Sequence, residues 1–167
     1  GPVPAPRLWW MLRWVGHEAA AVLDGGWNVW TGAGQPVTPD RPLITAERFA
    51  CQLRDAMAVD VGFVEAHLNN PGARLLDARS ADRFRGENET LDPVGGHIPG
   101  ALNRPFGLNL NGDGRFKPAA ALCGEFDQLL AGLAPAQIVH QCGSGVTACL
   151  NLLAMEVAGL RGSKLYA

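Results

Sequence analysis

The chain has 167 residues, of which 47% are hydrophobic and 18% charged, with a formal net charge of −2. That length holds one well-filled domain, or one domain with a piece of another. The charge balance excludes the basic footprint of a nucleic-acid binder, and no apolar run approaches the roughly 20 residues needed to cross a bilayer. The stretch 8–15 is apolar, but Arg13 interrupts it and neither a charged leader nor a cleavage site flanks it, so no signal peptide is expected. The cysteines are Cys51, Cys123, Cys142 and Cys149. None forms a CxxC pair or has a histidine at zinc-finger spacing, so neither a metal site nor a cofactor is expected. The chain is too long and too cysteine-poor for a disulfide framework, and a reducing cytoplasm with at least one functional thiol is the simplest reading.

Residues 6–16 predict a helix, because Leu8, Trp9, Leu12 and Val15 recur near helical spacing and Gly16 stops it. Residues 20–23 form a short apolar run before Asp24, Gly25 and Gly26, which predicts a strand entering a turn. The Gly- and Pro-rich stretch 31–42 reads as a linker. Phe49, Cys51 and Leu53 alternate with Gln52 and Arg54, predicting a strand. Asp60 is placed to cap a helix running to about residue 69, with Asn70, Pro71 and Gly72 as its stop. Residues 74–77 predict a buried strand. The stretch 118–130 predicts an amphipathic helix, with Leu122, Phe126, Leu129 and Leu130 on one face. A strand at 138–141, a helix at 147–157 ended by Gly159, and the start of a strand at 164–166 complete the pattern.

Such alternation implies an α/β fold, a parallel sheet with helices on both faces. In sheets of this kind ligands sit beyond the carboxyl ends of the strands, where Cys142 falls. Residues 1–30 do not make a domain: one helix and one strand cannot bury Trp9, Trp10, Trp14 and Trp27. The expectation is that the chain begins partway through an earlier domain, that 31–58 is a linker and crossing segment, and that 59–167 is the main domain. Without the missing partner sheet the tryptophans are expected to be exposed.

The segment 138–147 carries the chemistry. A strand ends on Cys142, then Gly143, Ser144, Gly145 and Val146 lead to Thr147, which is placed to cap the next helix. A thiolate at a helix N-terminus meets unpaired N–H donors and the positive end of the dipole, and both lower its pKa. The same donors suit a persulfide, and the glycines permit the positive φ a tight cradle needs. Cysteine phosphatases use this geometry too, but they clamp phosphate with an arginine six positions after the nucleophile, where this chain has Ala148.

The loop Cys142, Gly143, Ser144, Gly145, Val146 and Thr147 resembles that of the rhodanese-fold sulfurtransferases, especially the 3-mercaptopyruvate type. Thiosulfate-preferring members usually carry basic residues mid-loop. Gly96, His97, Ile98, Pro99, Gly100 and Ala101 match the family's signature segment, with Leu76, Asp77, Ala78 and Arg79 upstream. Residues 7–11 and 23–26 look like the end of the family's inactive first domain. The resemblance implies a rhodanese-like domain preceded by a fragment of a second one, and a cysteine nucleophile at Cys142. Sulfur then moves through a persulfide from 3-mercaptopyruvate or thiosulfate to thioredoxin, glutathione or cyanide. Ser144 matches a loop serine proposed to assist proton transfer. Gly143, Gly145, Val146 and Thr147 match the donor loop, and Arg83 matches an arginine that binds the substrate carboxylate.

The family's mercaptopyruvate enzymes have a second carboxylate-binding arginine shortly before the signature segment. Residues 89–94 contain none. Losing one charge-assisted hydrogen bond weakens a 2-oxo acid by about 1.5–3 kcal/mol. Arg85 is a candidate substitute, and His97 a candidate support that fixes its loop by hydrogen bonding. Asp77 and Arg79 are expected to brace the sheet end, and Cys149 to be a small core residue rather than a resolving thiol. A module that carries sulfur or binds a partner without turnover is the alternative to an enzyme.

Overall fold

The computed structural model describes residues 3–167. Its strands, in chain order, are β1 (Ala58–Val59), β2 (Arg74–Asp77), β3 (Leu102–Asn103), β4 (Ile138–Gln141) and β5 (Lys164–Tyr166). They form one sheet in the order β1-β5-β4-β2-β3, with every neighbouring pair parallel. The helices are α1 (Pro4–Trp14), α2 (Gly26–Gly32), α3 (Val61–Ala66), α4 (Ala81–Arg85), α5 (Ala119–Leu130) and α6 (Ala148–Val157). No helix among the described residues is long and apolar enough to cross a membrane.

All four residues of the central strand β4 are buried, as a parallel strand covered on both faces must be. Leu76 and Ile138 pack with Leu122, Phe126, Leu130, Ala154 and Met155 from α5 and α6. Their neighbours Leu75 and Val139 point the other way and face Phe63 and Val64 of α3. The sheet thus carries helices on both faces, in agreement with the α/β pattern. Asp60 caps α3 by accepting the Phe63 N–H at 2.8 Å. The helix ends at Ala66, short of residue 69, where Asn69 with φ +59° turns the chain.

The first third of the chain departs from expectation. Residues 20–23 form no strand; Ala20 and Val22 pack on the core beneath α1 instead. Residues 49–54 form no strand either. Two of their N–H groups go to the C-terminal end of α1, Gln52 N–H to Val15 O and Arg54 N–H to Trp14 O, both at 2.9 Å. These are carbonyls that a helix end leaves unpaired. The expected linker begins inside α2, whose N-cap Gly25 has a left-handed φ of +80°. Trp27 is exposed, but Trp9 and Trp10 are not. They share one core with Ala148, Cys149, Leu152 and Leu153 of α6, and Trp10 stacks on Trp14 with ring centroids 5.6 Å apart. The partner for these rings is α6, which lies more than 130 residues away in sequence, so composition alone did not show it.

Candidate active site

The hydrogen bond from Ala78 N–H to Gln141 O, at 2.8 Å, carries the β2–β4 ladder to the last residue of β4. Cys142 is the next residue, so the sheet itself sets the height of the thiol. The chain then turns through Gly143–Thr147 into α6. Gly145 makes that turn with φ +70°, and a Cβ there would lie 2.7 Å from Arg7 Nη1 and 3.0 Å from Ala167 Cβ. Arg7 Nη1 also lies 3.5 Å from Gly145 O, at the limit of a hydrogen bond. Gly145 is therefore a packing requirement as well as a conformational one. Gly143 has ordinary negative φ; its open side faces Arg83 Nη2, 4.0 Å from where a Cβ would stand.

Partial burial pushes the Cys142 thiol up, but hydrogen bonds to sulfur outweigh it and the net shift is downward. Those donors are the Thr147 hydroxyl and the N–H groups of Ser144, Ala148 and Thr147. Thr147 does not cap α6 with its side chain, and its hydroxyl is among the groups that lower the thiol.

The thiol opens into a cleft of about 350 Å³ whose lining includes Arg79, Arg83, Leu91, Asp92, Ser144 and Thr147. Helix α4 carries Arg83 to the rim. Arg83 Nε donates to Glu89 Oε2 at 3.0 Å, and Nη2 donates to Glu89 Oε1 at 2.9 Å and Asp92 Oδ2 at 3.2 Å. Arg79 is held by the fully buried Asp77, with Nη2 2.7 Å from Oδ2, and it donates to Gly96 O at 2.6 Å. That pairing with Asp77 raises the Arg79 pKa further. Glu89 is the residue missed by sequence reading, where 89–94 registered only as a place without arginine. Its carboxyl is held at about 2, first by the Leu91 N–H, against burial, and then by the Asp92 N–H and Arg83.

Not every predicted residue faces the cleft. Gly143, Ser144 and Thr147 line it, whereas Gly145 and Val146 do not. Arg85 is exposed and paired with Glu87 at 2.7 Å. His97 stacks on Phe84, with ring centroids 3.7 Å apart, and its Nδ1 lies 2.7 Å from Phe84 O. Cys149 is fully buried in the core, and burial, opposed by Arg7, lifts its thiol to about 11. His140 is buried as well; desolvation drops it to about 3, so the ring is neutral.

No protein-family model matches the chain. It is 44% identical over 164 residues to a probable 3-mercaptopyruvate sulfurtransferase of Pseudomonas aeruginosa, covering 98% of this chain and 58% of that protein. The crystal structure of a rhodanese-fold 3-mercaptopyruvate sulfotransferase from Escherichia coli superposes with a TM-score of 0.80 at 33% identity, covering 96% of this chain and 60% of that one. The chain has the rhodanese fold and is similar over nearly all of its length to sulfurtransferases of that fold. The thiosulfate sulfurtransferase of Bos taurus is also similar, at 34% identity over 171 residues, 99% of this chain and 57% of that protein. The chain thus spans a little over half the length of these relatives. Within the rhodanese fold, Cys142 stands at the carboxyl edge of the central strand, where two neighbouring strands and a helix start converge.

Proposed function

We propose that the chain is the nucleophile-bearing part of a sulfurtransferase working through a persulfide on Cys142, with residues 59–167 as its catalytic domain and residues 1–30 as the end of a preceding rhodanese-like domain whose α1 packs onto α6. The observation that carries this is a partly exposed thiol, lowered in pKa by four hydrogen-bond donors, at the floor of an open cleft. The thiolate attacks donor sulfur. From 3-mercaptopyruvate the C–S bond breaks, the mercapto proton ends on carbon, and pyruvate leaves. From thiosulfate the S–S bond breaks and sulfite leaves. In both cases Cys142–S–S⁻ results, and the N–H groups of Ser144, Thr147 and Ala148 that lower the thiol also stabilise its charge. Cyanide, or a thiol such as thioredoxin or glutathione, takes the outer sulfur and returns the thiolate. Ser144 and Arg83, both lining the cleft, assist the proton and hold the donor's anionic end respectively. Four cysteines without a disulfide suit a reducing compartment such as the cytoplasm.

Single-turnover mass spectrometry tests the proposal. Mixing with 3-mercaptopyruvate or thiosulfate adds one sulfur to the wild-type chain and none to Cys142→Ser. If neither donor leaves an adduct, the transfer reading fails and a partner-binding module takes its place.

A further inference from the structure

The segment between Gly86 and Gly96 is a strap whose two ends touch. A Cβ on Gly86 would stand 2.9 Å from Gly96 N, and one on Gly95 would stand 3.1 Å from Gly86 Cα. Arg79 ties the far end through Gly96 O. From this closed loop Glu89 and Asp92 reach back onto Arg83. Of the five guanidinium N–H groups, Nε and both of those on Nη2 meet strap carboxylates. Nη2 is the nitrogen that approaches Gly143 of the cysteine loop. The cleft-facing donor of Arg83 is thus already satisfied by the chain's own carboxylates.

The two acids differ in how they hold. Glu89 is 5% exposed and accepts two backbone N–H groups of the strap, whereas Asp92 is 43% exposed and makes its Arg83 contact at the cleft rim. Around the cleft two guanidiniums, Arg79 and Arg83, meet three carboxylates, Asp77, Glu89 and Asp92. The set is net negative before the Cys142 thiolate is counted.

We propose that Asp92 is a specificity-determining residue: its carboxylate occupies the Arg83 position that an anionic donor needs, so a donor must displace it, and the site ranks a monoanionic 2-oxo acid above dianionic thiosulfate. This rests on the sulfur-transfer reading for the identity of the donors. Displacement is feasible because an exposed ion pair is weak. Discrimination follows because the displaced carboxylate stays at the cleft rim, where its repulsion scales with donor charge.

The test is binding without turnover. Pyruvate and thiosulfate are titrated calorimetrically into Cys142→Ser and into Cys142→Ser/Asp92→Asn at low and high salt. Pyruvate is expected to bind the Asp92→Asn protein about two- to fivefold more tightly, the scale of one exposed ion pair. Thiosulfate is expected to gain by a larger factor, and both gains shrink as salt screens the charge. Asp92→Glu, which keeps the charge, stays near the parent. Equal constants, no measurable binding to either protein, or a thiosulfate gain no larger than that of pyruvate overturns the proposal. Adduct formation on the wild-type chain is read separately. Its absence, alongside tighter binding to Asp92→Asn, refutes sulfur transfer and leaves the Asp92 assignment standing.

Discussion

Replacing Thr147 by valine removes the side-chain hydroxyl that lowers the Cys142 thiol while keeping size and β-branching. A hydrogen bond to an ion is worth about 1.5–3 kcal/mol, and the partly exposed sulfur argues for the lower end. That corresponds to about tenfold less thiolate wherever the thiol is mostly protonated. Alkylation by iodoacetamide across a pH series reads this directly. On the rising limb Thr147→Val should react about threefold more slowly than wild type, because a Brønsted slope of about 0.4–0.5 offsets part of the tenfold loss of thiolate, and its midpoint should move to higher pH. On the high-pH plateau the order reverses. A thiolate of higher pKa is the better nucleophile, and a Brønsted slope of about 0.4–0.5 makes the plateau about threefold faster. Thr147→Ser keeps the hydroxyl and should follow wild type. A Thr147→Val midpoint that stays put or moves down would show that backbone N–H groups alone set the thiol, and the hydroxyl assignment would be wrong.

Gly145→Ala should cost about 1–2 kcal/mol for its left-handed backbone, before the contact with Arg7 and Ala167 is counted. Thermal melting shows the loss, and slowed Cys142 alkylation shows that the cradle has shifted. Trp10→Ala should lower stability by about 3–5 kcal/mol. Because α1 shares its core with α6, urea unfolding should remain a single transition; a separate early step would contradict the shared core. Glu89 has its folded pKa lowered to about 2 from an ordinary 4.5, so its contribution is full above 4.5 and fades as pH falls through 2. Proteolysis within 86–96 should be faster in Glu89→Gln than in wild type at neutral pH, with the gap closing as pH drops below 4.5. A gap that persists at low pH would mean that Glu89 acts without its charge.

The long periodic elements were legible from residues alone. Strand β4 and helices α5 and α6 announce themselves because burial on both faces, or one apolar stripe, leaves a pattern within a dozen residues. The shortest pieces left no such pattern. Strands β1 and β3 are two residues each and α4 is five, too few for a period, yet α4 is what carries Arg83 to the cleft. The alternation at 49–54 looked like a strand because local pattern cannot say whether a partner edge exists.

At the site, sequence by itself set a cysteine between a strand and a helix start, glycines on either side of Ser144 and alanine rather than arginine at 148, since each is a matter of residue type at a fixed spacing; only the structure singled out Gly145 as the turning glycine. Tertiary structure decided the electrostatics. Whether the Thr147 hydroxyl serves helix or sulfur, whether Trp9 and Trp10 have a partner, and whether Arg83 is free or already held by Glu89 and Asp92 depend on groups brought together through space. Hydrogen bonds and ion pairs act over a few ångströms, and only the folded chain sets those distances.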